Sequence, residues 1–281
     1  MKCSLCNSVQ IKTRYPYVRD NKEIEVLECE ECGLVFLSTI QHISDKFYED
    51  SGMLNGIVNL KEYRLQSFKD DERRALDLRE RIIGKQVLDF GCGAGGFLNL
   101  IKDFTGDVAG VELDKKINRA LNEEGIYCYS NIDEIEGTFD VITLFHVLEH
   151  LTNPKEMLEN LKKYLKPNGT IIIEVPNADD ALLTLYKSTA FSDFTYWSCH
   201  VYLYNSHTLN KLVDNCGYNV KLVKQIQRYP ISNHLYWLSE NKPGGHKIFN
   251  LIDNQILNKE YENALAAIGK CDTILLEATL Y

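Results

Sequence analysis

Short apolar runs alternate with longer segments of helical periodicity through most of this 281-residue chain. Between the runs, apolar residues recur every three or four positions, which is typical of helices that pack one face on a sheet. Strands that alternate with helices predict an α/β fold with a mainly parallel sheet covered on both faces. The predicted strands of this seven-stranded sheet are 86–90, 107–112, 126–129, 139–145, 170–175, 219–225 and 272–280.

A long amphipathic helix is predicted ahead of the sheet, from about residue 58 to residue 83. The charged stretch 69–74 within it is expected to face solvent. Alternatively, Tyr48, Tyr63 and Arg64 would line the mouth of a ligand site. The apolar residues at helical spacing are Leu65, Phe68, Ala75, Leu76, Ile82 and Ile83.

A glycine-rich turn follows the first strand of the predicted sheet and leads into a helix. Gly91, Gly93 and Gly96 leave backbone N–H groups free at the helix start and let a ligand approach the main chain. Their spacing is also the G-x-G-x-x-G pattern of dinucleotide-binding folds, so it does not by itself choose a ligand. Asp89 at the strand end would repel a pyrophosphate and suits a ligand that is cationic there. The segment VLDFGCGAGGFL resembles motif I of class I methyltransferases, whose ligand, S-adenosylmethionine, carries an ammonium and a sulfonium.

An acidic residue, Glu112, ends the second predicted strand about 20 residues beyond the glycine turn. A carboxylate there can accept hydrogen bonds from both ribose hydroxyls, so we expect Glu112 to bind the ribose of S-adenosylmethionine. Asn131 stands where methyltransferases hold the adenine edge, although a turn would also favour asparagine. The predicted cofactor site also includes Phe90, Leu113 and Phe145.

Two C-x-x-C pairs, Cys3 with Cys6 and Cys29 with Cys32, lie near the start of the chain. Each pair can present two thiolates from one tight turn, and four thiolates complete the tetrahedron of a structural zinc site. Unliganded cysteines or a redox pair are the alternatives. We predict a zinc ribbon over residues 1–40, whose metal has no open position for a substrate.

The fourth predicted strand runs directly into His146, and Glu149 and His150 follow. The stretch FDVITLFHVLEHLTNPKEMLENLKKYLKPNGTIIIEVPN is similar to methyltransferases of the ubiquinone O-methyltransferase and sugar-methyltransferase kind. This resemblance implies a Rossmann-like class I methyltransferase fold. The resembling ubiquinone enzymes carry Glu-x-x-Glu-His here, a cluster that can hold a divalent metal. Histidine at position 146 leaves open whether a second metal binds to this chain.

Histidines near this strand end are candidates for removing the proton of a hydroxyl acceptor, since the pKa of histidine suits proton transfer near neutral pH. His146 is the first choice and His200 the second, while Glu149 could orient a histidine as in a hydrolase triad. His150 is expected to pack or cap the turn. The pattern H-x-x-E-H also matches a zinc peptidase motif, but that motif requires a long helix rather than a strand end.

Two further segments are predicted to reach the acceptor. In the resembling families a His-x-Tyr segment faces the acceptor, which makes His200 and Tyr202 candidates; His200 could instead brace a loop. Residues 228–270 form an insertion between the last two strands, a place where substrate lids occur. Within it His246 is a candidate for binding substrate, or lies in a plain solvated turn.

Composition limits the class of partner. The net charge of −9 argues against a nucleic acid held through its phosphates. No apolar run approaches the ~18 residues of a membrane span. Nine cysteines, five of them scattered through predicted core elements, fit a reducing compartment. We expect a cytoplasmic protein without a nucleic-acid or membrane partner.

Together these features predict a methyltransferase domain over residues 85–281, joined to the ribbon by a linker and helix over 41–84. It would use S-adenosylmethionine and structural zinc. Its expected acceptor is a hydroxyl of a nucleotide-linked or small sugar, and a non-sugar metabolite or an amine is the alternative. A nicotinamide-dependent oxidoreductase, which Asp89 opposes, and a non-catalytic module that docks a partner through the ribbon are the other classes.

Overall fold

The computed structural model describes residues 1–43, 49 and 59–281, whose strands form two sheets. The small sheet is antiparallel, in the order β1-β2-β3-β9. The large sheet has seven strands in the order β10-β11-β8-β7-β4-β5-β6 and is parallel except for β11, which is antiparallel to both of its neighbours, β10 and β8. The strands are β1 (Ile11–Tyr15), β2 (Val26–Cys29), β3 (Val35–Leu37), β4 (Gln86–Phe90), β5 (Asp107–Val111), β6 (Cys128–Tyr129), β7 (Phe139–Phe145), β8 (Leu165–Pro176), β9 (Tyr202–Leu203), β10 (Tyr218–Ile226) and β11 (Thr273–Leu280).

Helices cover both faces of the large sheet, as the alternating pattern predicts. Three of them lie between β10 and β11, within the predicted insertion. The helices are α1 (Leu60–Ile82), α2 (Gly96–Ile101), α3 (Lys115–Glu123), α4 (Pro154–Leu161), α5 (Ala181–Thr184), α6 (Thr189–Thr195), α7 (Ser206–Asn215), α8 (Ile231–Glu240), α9 (Gly245–Ile248) and α10 (Gln255–Ala267).

The central strands are buried on both faces because their apolar runs lie between two layers of helices. In β7, Asp140 alone is not fully buried. The predicted Rossmann-like fold with seven strands is therefore confirmed. The carboxyl ends of β4, β5 and β7 meet at one edge of the sheet, where open α/β folds bind their ligands.

Helix α1 buries a different face from the one predicted. Its buried residues include Asp71 and Arg74, which lie in the charged stretch expected to face solvent. Leu65 and Leu76, expected to point inward, are 77% and 68% exposed. The reason is that α1 lies against the glycine turn and against Glu174 of β8, so its polar side chains face inward. The other residues of the predicted apolar stripe that are exposed are Phe68 and Ile83.

The small sheet is continuous with the main domain through β9. Val35 and Phe36 of β3 pair with Leu203 and Tyr202 of β9, which lies within the aromatic-rich segment. The N-terminal ribbon is thus hydrogen-bonded to the segment that carries His200. None of the helices in the described part of the chain combines the length and apolar character needed to cross a membrane.

Candidate active site

Asp89 lies at the end of β4, almost completely buried at 3% exposure. Its Oδ1 atom accepts a hydrogen bond of 2.7 Å from the hydroxyl of Thr143 on β7. Burial raises the pKa of Asp89 to about 7, and the Thr143 hydrogen bond only partly opposes this shift. A buried carboxyl with raised pKa is stabilised as a carboxylate when a cationic group binds beside it.

Glu112 follows β5 and holds the glycine turn in place. Its Oε2 atom accepts a hydrogen bond of 2.9 Å from the N–H of Gly93, and its Oε1 atom accepts one of 2.9 Å from the N–H of Asp114. Burial raises the pKa of Glu112, while these backbone hydrogen bonds lower it. Carboxylate oxygens have further lone pairs, so Glu112 can still accept hydrogen bonds from a diol.

The glycine turn requires glycine at two positions for different reasons. Gly91 has a φ of 75°, and a Cβ there would collide with the side chain of Val147. A Cβ on Gly96 would collide with the carboxylate of Asp71 on α1. Helix α1 can therefore approach this turn closely because residue 96 has no side chain.

The other predicted cofactor residues take varied positions. Phe90 is buried at the end of β4, and Leu113 is 39% exposed beside Glu112. Phe145 is buried, with its ring centroid 5.0 Å from that of Phe97 and the guanidinium of Arg74 4.5 Å above it.

The side chain of Asn131 forms hydrogen bonds within its own turn. Its Oδ1 atom accepts a hydrogen bond of 2.9 Å from the N–H of Asp133, and its Nδ2 atom donates one of 2.8 Å to Glu134. This is the turn alternative considered from the sequence. Arg64 and Tyr48 are two of the residues predicted to line the mouth of the ligand site. Arg64 donates a hydrogen bond of 2.8 Å to the carbonyl of Ala94 in the glycine turn. Tyr48 lies outside the described residues.

His146 is held in position by protein groups on both ring nitrogens. Its backbone has a φ of 56°, an uncommon conformation for a residue other than glycine. Its Nδ1 atom lies 3.3 Å from Oε1 of Glu149, and its Nε2 atom lies 3.2 Å from Nη1 of Arg228 and 3.4 Å from Oε1 of Glu174. Both nitrogens therefore already have partners within the protein.

Glu174 is the centre of this network, although it lies within an otherwise apolar strand. The carboxylate is fully buried and accepts hydrogen bonds from Arg73 and from Arg74 of α1, at 2.9 Å and 2.6 Å. Burial alone would raise its pKa, but contact with His146 and the charges of the two arginines hold the pKa well below its usual range. Arg73, Arg74, Glu174 and Arg228 are functional candidates that sequence reasoning missed. The one available signal was a lone glutamate inside an apolar run.

Glu149, His150 and His200 form a second cluster. Their ligand atoms all lie within 4.8 Å of one another, a set of one carboxylate and two imidazoles that can hold a divalent cation. Nδ1 of His150 lies 2.9 Å from the carbonyl of Cys199, and so donates to it. His150, which the sequence leads us to expect as a residue that packs or caps the turn, thus also belongs to this cluster.

The polar atoms of this cluster have spare hydrogen-bonding capacity. Oε2 of Glu149 and Nδ1 of His200 are buried without a hydrogen-bond partner among the described residues, while Oε1 of Glu149 faces Nδ1 of His146 at 3.3 Å. Burial lowers the pKa of His200 to about 3, an effect that repulsion from His150 strengthens and the charge of Glu149 opposes. His200 is therefore neutral at physiological pH, with a lone pair to offer.

A cavity of about 360 Å³ opens beside these histidines. His146, Glu149, His150 and His200 line it together with His246 from the insertion. Its aromatic wall comprises Phe191, Phe194 and Trp237, and the centroid of the tryptophan lies 5.2 Å from each phenylalanine. The structure therefore brings together the four predicted catalytic residues and one of the two predicted substrate residues.

Tyr202, the other predicted substrate residue, lies elsewhere. Its ring lines a separate cavity of about 130 Å³ between the ribbon and α4, with Leu5 and Lys155 among the other lining residues. Its backbone pairs with Phe36 of β3. His200 lies before β9 begins, in a turn where its N–H donates a hydrogen bond to the carbonyl of Trp197, so the two side chains are not placed by one regular strand.

The four N-terminal cysteines meet in one cluster, with all four sulfur atoms within 4.8 Å of one another. Sγ of Cys3 lies 3.6 Å from that of Cys32, and Sγ of Cys6 lies 3.5 Å from that of Cys29. The two C-x-x-C turns therefore face each other, as the zinc-ribbon prediction requires.

Comparison with known proteins gives the family. A family model described as a methyltransferase domain matches residues 62–223, more than half of the chain. The chain belongs to this family. The matched residues run from near the start of α1 to within β10, and this membership decides against the nicotinamide-dependent alternative.

Curated relatives match this methyltransferase domain over part of their length. An uncharacterised protein of Methanocaldococcus jannaschii is 37% identical over 111 residues, 38% of this chain and 46% of that protein. The mitochondrial ubiquinone biosynthesis O-methyltransferase of Schizosaccharomyces pombe is 31% identical over 102 residues, 32% of this chain and 37% of that enzyme. The chain thus spans less than half of the length of each of these relatives.

A solved structure shows the same fold. The S-adenosylmethionine-dependent methyltransferase of Archaeoglobus fulgidus aligns with a TM-score of 0.52 at 18% identity, covering 78% of this chain and 99% of that one. The methyltransferase fold and family predicted from the sequence are confirmed.

Proposed function

We propose that this chain transfers the methyl group of S-adenosylmethionine to a small polar acceptor. The observation that carries this proposal is the meeting of Asp89, Glu112 and the histidine cluster at one edge of the sheet. This edge is the crevice where open α/β folds bind ligands. The methyltransferase family and fold support the same function.

Asp89 and Glu112 would hold the cofactor. Asp89, buried at the strand end, would pair with the ammonium group of the methionine part. Glu112 would accept hydrogen bonds from the ribose hydroxyls while keeping its hydrogen bond from Gly93. The bound sulfonium supplies an already activated methyl group, so the protein has to align the acceptor and manage one proton.

We assign proton removal to His200, with His150 and Glu149 beside it. His200 is neutral and its Nδ1 atom has no partner among the described residues, whereas both nitrogens of His146 already contact protein groups. A hydroxyl becomes strongly acidic once methylated, so a weak base is sufficient. The buried carboxylate of Glu149 offsets the positive charge that develops on the imidazole. His146 then acts by positioning Glu149 and Arg228.

For the acceptor we propose a hydroxyl of a sugar or a similar compact ring. The cavity volume lies at the small end of the range for small-molecule sites, which starts at about 300 Å³. Phe191, Phe194 and Trp237 offer apolar faces against which a ring can pack, and His246 can donate or accept a hydrogen bond. A non-sugar metabolite would use the same wall.

For the ribbon we propose one structural zinc ion held by Cys3, Cys6, Cys29 and Cys32. Zn–S bonds of about 2.3 Å in a tetrahedron place sulfur atoms roughly 3.8 Å apart, close to the separations of 3.6 Å and 3.5 Å found here. The ribbon would brace β9 and the segment carrying His200 through the β3–β9 pairing.

The experiment that tests the function is transfer of label from methyl-labelled S-adenosylmethionine, with a panel of nucleotide sugars and small metabolites as acceptors. The expected result is label in at least one acceptor, lost in the His200→Ala variant. Failure of the protein to bind S-adenosylmethionine would overturn the proposal whatever the acceptor panel contains.

A further inference from the structure

The cavity beside the histidine cluster is rich in buried carboxyl groups. Glu149, Asp180 and Asp272 line it; Glu149 is 1% exposed, Asp180 is 5% exposed and Asp272 is partly buried. Arg228 is the one lysine or arginine among the described residues that line this cavity. The balance of formal charge within the cavity is therefore negative.

Arg228 makes its side-chain hydrogen bonds to groups other than these three carboxyl groups, although its charge partly opposes the rise that burial causes in the pKa of Asp272. Its Nε atom donates a hydrogen bond of 2.9 Å to Asp70 of α1, and its Nη2 atom donates a second one to the same carboxylate. Its Nη1 atom lies 3.2 Å from Nε2 of His146. The guanidinium of Arg228 thus contacts groups other than Asp180.

Asp180 has unused capacity. One of its oxygens accepts a hydrogen bond of 2.6 Å from the N–H of Leu182, at the start of α5. No ion pair joins Asp180 to a cation in the part of the chain that the structure describes. Burial and the charge of Asp272 together raise the pKa of Asp180 to about 8, against the opposing effect of the Leu182 hydrogen bond.

Asp272, in contrast, is well supplied with neutral donors. It accepts hydrogen bonds from the backbone N–H groups of Arg228 and Tyr229, at 3.1 Å each, and from the side chain of Gln227 at 2.9 Å. These donors hold Asp272 in place beside Asp180 without adding a positive charge. Asp180 therefore has no counter-charge of its own among the described residues, whereas the charge of Arg228 acts on Asp272.

Unpaired polar atoms in the same cavity also point to a polar ligand. Oε2 of Glu149 and Nδ1 of His200 are buried there without a hydrogen-bond partner among the described residues. Buried polar groups in native proteins are nearly always paired, so unpaired atoms that face a cavity point to a bound water, ion or polar ligand there.

We propose that Asp180, supported by Asp272, binds a protonated amino group of the acceptor. This inference rests on the proposed function and adds the acceptor's class: a compact ring that carries an ammonium group in addition to the group that is methylated. The ammonium cannot itself be the methylated atom, since its nitrogen has no lone pair. The ring would pack on Phe191, Phe194 and Trp237, and any phosphate of the acceptor would remain outside this acidic cavity.

The test uses two probes of nearly equal size and shape, benzylamine and benzyl alcohol, titrated calorimetrically at pH 7 without S-adenosylmethionine. The Asp180→Asn variant removes the charge, yet its amide oxygen can still accept the hydrogen bond from Leu182. The matched control is Asp179→Asn, because Asp179 is the next residue along the chain and does not line the cavity.

We expect the wild-type protein and Asp179→Asn to bind benzylamine at least ~10-fold more tightly than benzyl alcohol, and Asp180→Asn to lose this preference. Equal binding of the two probes by the wild type, no measurable benzylamine binding, or a preference kept by Asp180→Asn would overturn the proposal. If Asp180→Asn does not fold, the same loss is expected of Asp272→Asn, and a preference kept there would count against the subsite.

These outcomes can be separated from failure of the proposed function. The amine preference is measured without the methyl donor, and binding of S-adenosylmethionine is measured without an amine. Loss of the amine preference with intact S-adenosylmethionine binding overturns only the subsite.

Discussion

Glu112 ties the end of β5 to the glycine turn, since its Oε2 atom accepts a hydrogen bond of 2.9 Å from the backbone N–H of Gly93. The same carboxylate binds the N–H of Asp114, which begins the approach to α3. One half-buried side chain therefore links the two loops that would enclose a cofactor. Asp89 lies at the end of the neighbouring strand β4.

Asp89 should make cofactor binding depend on pH. Its pKa is about 7 because burial outweighs the Thr143 hydrogen bond, and Arg74, Asp71 and Glu112 also face it. Below that pKa the carboxyl is protonated, while pairing with an ammonium requires the carboxylate. Affinity for S-adenosylmethionine should therefore rise with pH, up to ~10-fold per unit below pH 7, and level off above it.

Calorimetry between pH 5.5 and 8.5 checks this dependence. In buffers of different ionisation enthalpy it should also show proton release on binding at pH 6. Asp89→Asn should bind weakly at every pH. An affinity that falls as the pH rises through 7 would contradict the role given to Asp89.

His200 should be needed for turnover but not for cofactor binding. His200→Ala is expected to lower kcat by ~10²- to 10⁴-fold, the usual range for loss of a general base. Because the pKa of His200 is about 3, the wild-type kcat should stay flat from pH 5 to pH 8. The control is His207→Ala on α7, where the side chain is exposed.

Two results would argue against His200 as the base. One is near-normal turnover in His200→Ala when the acceptor is a hydroxyl. The other is an acidic limb near pH 6.5 that disappears in His200→Ala, because that limb would belong to an unperturbed histidine.

Glu174 should be a major determinant of stability. Its carboxylate neutralises the buried Arg74, and removal of one partner of a buried ion pair typically costs ~3–5 kcal/mol. Glu174→Gln should lower the free energy of unfolding by about this amount in denaturant titrations. Because its folded pKa is lowered, this stabilisation is present above the unfolded pKa and lost as pH falls.

The comparison for Glu174 is Glu277 on β11, which pairs with the part-exposed Arg81. Glu277→Gln should cost no more than ~1 kcal/mol, as is usual for surface pairs. Equal losses in the free energy of unfolding in the two variants would mean that the buried ion pairs stabilise the fold no more than a surface pair does.

The ribbon should contain one tightly bound zinc ion per chain. Elemental analysis of protein purified without chelator should find it, and Cys29→Ser should lose most of it. Cys216→Ser is the control, because Cys216 is buried at the end of α7 in the main domain. Chelation should expose the ribbon and β9 to hydrogen exchange while β4 and β7 stay protected. Zinc-free wild-type protein with a folded ribbon would contradict the site.

The sheet could be predicted from the sequence because its signals are local. The bounds of β4 and β7 match the predicted ones residue for residue, since each is an apolar run that ends at a distinct signal: a glycine turn, and the left-handed His146. The cluster of four N-terminal cysteines could likewise be predicted from their spacing, without knowledge of distant contacts.

The polar network could not be predicted in the same way. Arg74 and Glu174 are 100 positions apart, and periodicity assigns a charged helical stretch to solvent unless its partner is known. Asn131 shows a different limit of sequence-based prediction, because a turn and a ligand contact both favour asparagine and the sequence does not distinguish them. Asp180 carried no motif, and only the folded cavity brings it beside Asp272.

The most direct test of the account is a calorimetric titration with S-adenosylmethionine of the wild type, Asp89→Ala, Glu112→Ala and the control Asp107→Ala, at the opposite end of β5 from Glu112. We predict one site per chain in the wild type and in Asp107→Ala. Affinity should fall ~10- to 100-fold in each of the other two variants. Wild-type affinity in both Asp89→Ala and Glu112→Ala would contradict the central claim that these two carboxylates hold the methyl donor.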